Sequence, residues 1–98
     1  MLGRTGRPDE AVGRLTESAG LFAGLADRHR QADALLELAG VRLAQRLAAD
    51  ARQAAEQARG IAVRLGDRLL DARALLALAR VNLAEGAPDR ARALAGRR

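Results

Sequence analysis

The chain has no Cys, no Trp, no Tyr and no Lys, and its 98 residues include one Phe and two Pro. Without Cys there is no disulfide framework, no thiolate zinc site and no Cys nucleophile. Without Tyr or Trp there are no such platforms on which single-stranded bases would stack. Four Val and one Ile are too few β-branched residues to furnish a sheet. The longest unbroken apolar stretch is Ala74–Ala79, far short of the roughly 20 residues that span a bilayer. Met1–Gly6 carries charge and no apolar h-region of a secretory signal, so a cytoplasmic protein without a membrane segment is expected.

What is present is Ala, Leu and Arg, three residues near the top of the helix-propensity ranking. Pro8 is followed by Asp9 and Glu10, and Pro88 by Asp89. Pro at a first helical position with acids in the first turn is a helix-start pattern, because the missing N–H would have no partner there anyway. Ala26-Asp27-Arg28 and Gly66-Asp67-Arg68 mark two further breaks, Gly66 as a left-handed C-terminal residue and Asp67 as an N-cap. A softer break lies at Arg46-Leu47. These stops predict five helical segments, at 8–25, 29–45, 48–65, 68–84 and 88–96. The second carries an apolar stripe of Ala32, Leu35, Leu36, Ala39 and Leu43, and the fourth one of Ala72, Leu75, Leu76, Ala79 and Leu83. Connections of two to four residues predict that successive helices run antiparallel.

The two stripes are copies. Ala32–Ala44 and Ala72–Ala84 match at nine of thirteen positions with an offset of 40, a period that signals a repeat architecture. The same offset pairs Leu25 with Leu65, Asp27 with Asp67, Arg28 with Arg68 and Gly20 with Gly60, and twice the offset sets Gly6-Arg7-Pro8-Asp9 on Gly86-Ala87-Pro88-Asp89. A shared Ala/Leu bias does not align Pro with Pro and Asp-Arg with Asp-Arg. Each unit is therefore a helical hairpin of about 40 residues.

The pattern resembles the tetratricopeptide repeat (TPR) family in its long variant. The resemblance rests on Leu-x-x-Leu-Ala in the first helix (Leu35, Leu38, Ala39; Leu75, Leu78, Ala79), Gly before the second helix (Gly6, Gly86), and a small residue early in it (Ala11, Ala51, Ala91). Leu35 and Leu75 replace the usual aromatic, and Arg42 and Asn82 stand where the family prefers Tyr. HEAT-like and other α-solenoid pairs share this repeat length. The resemblance implies an all-α fold, an α-solenoid of antiparallel hairpins with about two to two-and-a-half repeats in one domain, 1–98. The second helix of repeat 1 would be 8–25, repeat 2 would be 29–65, and a partial repeat 3 would be 68–96. Such units need neighbours to bury their apolar faces, so a fragment, a truncated frame or a self-associating protomer is expected. Arg-rich, Lys-free arrays of this kind are similar to those of bacterial, particularly actinobacterial, transcriptional regulators and signalling ATPases.

Little points to catalysis. His29 is the only His, and no second His or Cys exists to share a metal. Its neighbours Asp27, Arg28 and Arg30 make a solvated turn the expected setting. Thr5, Thr16 and Ser18 fall in no nucleophile motif, and Gly3–Gly6 lacks the Lys of a phosphate loop. Neither an enzyme nor a cofactor is expected. All 17 basic residues are Arg against 12 Asp+Glu, giving a formal +5, with −1 in residues 1–40, +4 in 41–80 and +2 in 81–98. Phosphate contacts are one use for that charge, so a small basic nucleic-acid-binding protein is the alternative. Against it, Arg52, Glu56 and Arg59 are spaced for ion pairs on one helix face. Gly20 and Gly60, matched by the repeat, suggest tight packing between units.

The TPR resemblance implies a non-catalytic protein–protein interaction scaffold whose first helices line a groove for a partner's peptide or helix. The positions it assigns to that groove are Asp33, Leu36, Gly40 and Leu43, and Arg73, Leu76, Arg80 and Leu83. Arg73 and Arg80, seven residues apart on one face, suit an acidic peptide.

Overall fold

A computed structural model describes the backbone of residues 2–96 and the side chains of residues 7–86. It contains four helices, α1 (Leu2–Gly24), α2 (Arg28–Ala44), α3 (Ala48–Leu65) and α4 (Arg68–Gly96). No strand occurs among the described residues. In chain order α1 packs on α2, α2 on α3 and α3 on α4, and α2 also reaches α4. The Cα atoms fill a slab of 55 × 42 × 16 Å with a radius of gyration of 15.5 Å. A compact domain of this length has about 13 Å, so the helices are laid side by side more than they are wrapped round a centre.

The three connectors are built alike. Ala26, Arg46 and Gly66, each twenty residues from the next, take the left-handed conformation with φ of 58°, 67° and 67°. In each, the following N–H bonds a carbonyl five residues back: Asp27 to Phe22 at 2.8 Å, Leu47 to Arg42 at 2.9 Å and Asp67 to Ala62 at 3.0 Å. This is the Schellman arrangement, which satisfies carbonyls that a helix end would otherwise strand. Asp27 and Asp67 then cap the next helix, their carboxylates accepting the N–H of Arg30 at 3.2 Å and of Leu70 at 3.0 Å. Leu47 makes no side-chain cap. Gly66 and Asp67 thus take the expected roles, and α3 spans the expected residues.

α2 is shifted by one residue and α1 ends one residue early, and two larger departures from expectation lie at the prolines. α1 begins at Leu2 and runs through Pro8, which lies inside the helix instead of opening it. Proline's fixed φ is itself helical, and what Pro8 withholds is one N–H to the preceding turn. The expected break near Gly86 is also absent. Segments 68–84 and 88–96 form one helix, α4. The side chains of Pro88 and Asp89, read as a helix start, lie outside the described residues.

The core is made largely of Ala. Among the described residues, ten of the fourteen buried hydrophobic side chains are Ala, and the others are Leu35, Ile61, Leu70 and Val81. One cluster joins Ala32 and Leu35 of α2 with Ala58, Ile61 and Ala62 of α3 and Leu70 and Ala74 of α4. A second joins Ala39 with Ala54 and Ala55. A buried methyl contributes only about 0.8 kcal/mol, so the helices must lie close for many small contacts to add up. Ala39 and Ala51 are both buried, in keeping with that close approach. The glycines do not share the role expected of them. A Cβ built on Gly20 or Gly60 meets nothing within 4 Å, so no neighbouring element presses on them.

Candidate functional site

α2 and α4 stand beside one another because α3 returns the chain by a full helix length between them. Different faces of the two helices form the walls of a shallow groove of about 300 Å³, with Gly40 and Arg80 its one repeat-matched pair. Leu36, Gly40 and Leu43 line it from α2, and Arg80 from α4. Ala77 and Val81 add to α4's side, with Val81 fully buried. The groove stays open over Gly40 because an added Cβ there would touch nothing within 4 Å.

Four of the eight positions assigned to the groove therefore meet in it. Asp33 and Arg73 instead engage each other, the Arg73 Nη1 donating to the Asp33 Oδ1 at 2.8 Å. Both side chains are about half exposed, so the pair contributes no more than about 1 kcal/mol. It does tie α2 to α4 across one repeat period, and it neutralises a guanidinium expected to meet a partner. Leu76 and Leu83 do not line the groove and are 54% and 64% exposed. Arg80 makes no ion pair among the described residues. Ala77 and Val81 were not singled out from sequence: Val41 and Val81 match across the repeat, but Val81 lies on the side of α4 opposite its Leu stripe, so the stripe did not point to it.

The charges on α3 are used differently from expectation. Arg52 does not pair with Glu56. It reaches α4, donating to Asn82 Oδ1 at 2.7 Å and to Glu85. Arg59 likewise reaches Asp71 Oδ1 at 3.2 Å. The Arg stem is long enough to bridge two closely packed helices, and the acid on the neighbour is the nearer partner. These pairs lace α3 to α4.

His29 lies in the first turn of α2, mostly exposed, with its Nε2 3.2 Å from Asp67 Oδ2. The Leu70 N–H donated to Asp67, together with the adjacent His29, holds the Asp67 carboxyl below its ordinary range. Arg30 lies 5.9 Å over the Phe22 ring, linking the α1–α2 turn to the only aromatic side chain. Among the described residues no cluster of His and carboxylates is arranged to hold a metal ion. Nor, among the described residues, is any helix long and apolar enough to cross a membrane.

Compared with known proteins, the chain matches no family model, no curated protein and no solved structure. The functional reading therefore rests on the geometry of these four helices.

Proposed function

We propose that the chain is a TPR-like helical-repeat scaffold that binds a protein partner, without catalysis, through the groove between α2 and α4. The observation that carries this reading is the meeting of Leu36, Gly40, Leu43 and Arg80 in one open groove. The groove's apolar floor suits Leu-sized side chains. Arg80 sets a bidentate carboxylate donor at its edge. The partner is accordingly a short apolar segment bearing Asp or Glu, and the scaffold belongs to a bacterial regulator or signalling assembly of the kind its repeats resemble.

Selection from a random peptide library tests this directly. Enrichment of apolar peptides carrying one or two acids is expected, with binding lost in Arg80→Glu and in Gly40→Leu, which fills the groove. Enrichment indifferent to both substitutions would sink the proposal. So would tight binding of duplex DNA at physiological salt that collapses as salt is added, the signature of phosphate contacts.

A further inference from the structure

The forty-residue offset places α2 and α4 in equivalent positions, and likewise α1 and α3. Their surroundings are not equivalent. α2 and α3 each have a helix on both sides, whereas among the described residues α1 packs on α2 alone and no helix lies on the far side of α4. On α2, Ala32, Leu35 and Ala39 are buried, and Ala32 and Leu35 share a cluster with Ile61 of α3. Their copies on α4 are the same three residue types, Ala72, Leu75 and Ala79, and all three are exposed. The copy of Ile61 on α1 is Leu21, 62% exposed. Leu25, one turn further along, is exposed at 67%, as its copy Leu65 is at 40%. The molecule thus carries both halves of its own internal helix contact, each bare, on two separate faces.

We propose that a second copy of this chain covers each face, α1 of one molecule seating on α4 of another and continuing the helix succession head to tail. Leu21 of the incoming copy takes the place against Ala72 and Leu75 that Ile61 takes against Ala32 and Leu35. The charges agree with this pairing. Within the chain, Gln57 of α3 shares a groove with Arg28 and Gln31 of α2. The corresponding residues at the junction are Glu17 of the incoming copy with Arg68 and Asp71, and Asp71 is already held by Arg59 of its own chain, which leaves Arg68 to face the acid. On the opposite edge, Asp33 of the incoming copy comes beside Arg73 as Asp33 does within the chain. Asp and Arg then alternate along the assembly. A contact between two different faces does not close on itself as a two-fold dimer does, so growth leads to rings or open filaments. The faces involved are distinct from the α2–α4 groove, and the inference stands whether or not that groove binds a peptide.

The test is sedimentation of the full chain from micromolar to near-millimolar concentration, with two blocked variants. Leu75→Glu blocks the α4 face and Leu21→Glu the α1 face, both at side chains already open to water. Wild type is expected to grow beyond a dimer as concentration rises. Each variant alone is expected to stay monomeric with unchanged helicity by circular dichroism. Their equimolar mixture is expected to form a heterodimer and stop there, since only one complementary pair of faces remains. Ala79→Glu and Leu25→Glu repeat the test should either first variant lose its helicity. A wild type that stays monomeric throughout overturns the proposal. A Leu21→Glu variant that dimerises alone also overturns it, in favour of a two-fold α4–α4 contact, and a Leu75→Glu variant that does so points to α1–α1.

Discussion

α2 and α4 share nine of thirteen residues over their matched stretch and lead opposite lives. Leu35 is 5% exposed and Leu75 is 43% exposed. Ala39 is buried and Ala79 is exposed, although each stands in the same local sequence, Leu-x-Leu-Ala. The stripe on a helix therefore states only that a face can be buried. What decides burial is whether a helix lies against it, and here α3 covers α2 while nothing described covers the far side of α4. In a repeat architecture stability comes from contacts between neighbouring units as much as from the units themselves. Two nearly identical helices can then differ several-fold in what the same side chain contributes.

The sharpest way to break the comparison is to truncate the same Leu in both helices. Leu35→Ala is expected to destabilise by about 2–5 kcal/mol, the usual cost of emptying a packed site. Leu75→Ala removes a half-open side chain and is expected to cost under about 1 kcal/mol. For a domain of this size each kcal/mol lowers Tm by roughly 4–8 °C, so thermal melts of the two variants at low concentration separate clearly. Equal losses would mean that Leu75 is buried in solution. Repeating the Leu75→Ala melt at high concentration sharpens the point, because a cost that grows with concentration reports a partner seated on α4.

Overpacking gives the same contrast with the opposite change of volume. Ala39→Leu forces extra carbons between α2 and the Ala54–Ala55 stretch of α3, and is expected to cost about 1–3 kcal/mol. Ala79→Leu adds apolar area to an exposed face and is expected to leave Tm of the monomer nearly unchanged. If Ala39→Leu proved neutral, the close approach of α2 and α3 would be wrong.

These contrasts also explain how much was legible beforehand. The all-α class, the bounds of α3 and the roles of Gly66 and Asp67 follow from local chemistry and could be read from residues alone. α2 needed only a shift of one residue. α1 and α4 were misjudged where Pro8 and Gly86-Ala87-Pro88 looked like stops, since proline forbids one hydrogen bond but not a helical φ. At the candidate site, four of the positions that the resemblance assigned, Leu36, Gly40, Leu43 and Arg80, line one groove between α2 and α4. Periodicity did not foresee that Asp33 and Arg73 would satisfy each other, or that Arg52 and Arg59 would turn to α4. A helical wheel ranks neighbours within one helix, and these partners sit on another.

The connectors that lead into α2 and α4 carry the comparison to smaller energies. Ala26 and Gly66 hold the same left-handed position one repeat apart. A Cβ in that conformation costs about 1–2 kcal/mol, so Gly66→Ala is expected to destabilise by about that much. Ala26→Gly is expected to recover part of it, less what glycine loses through its freer unfolded chain. Urea unfolding midpoints of the two variants should move in opposite directions. Movement in the same direction would show that the two turns are not equivalent.

The smallest difference is one of pH. Asp27 and Asp67 both cap a helix, yet Asp67 also has His29 from the preceding repeat 3.2 Å away. The Leu70 N–H and His29 lower the Asp67 pKa from its ordinary 3.8. A carboxyl whose folded pKa lies below its unfolded value binds fewer protons folded than unfolded. Its contribution is fully present above the unfolded pKa and is lost as pH falls through the folded one. Asp67→Asn is therefore expected to flatten the acid limb of the Tm–pH profile below about pH 4, where an unperturbed Asp begins to protonate. His29→Gln is expected to reduce that dependence without abolishing it, because the Leu70 N–H, the stronger cause, remains. An acid limb left unchanged by Asp67→Asn would show that the cap on α4 carries no pH-linked stability, and would leave His29 as a surface neighbour only.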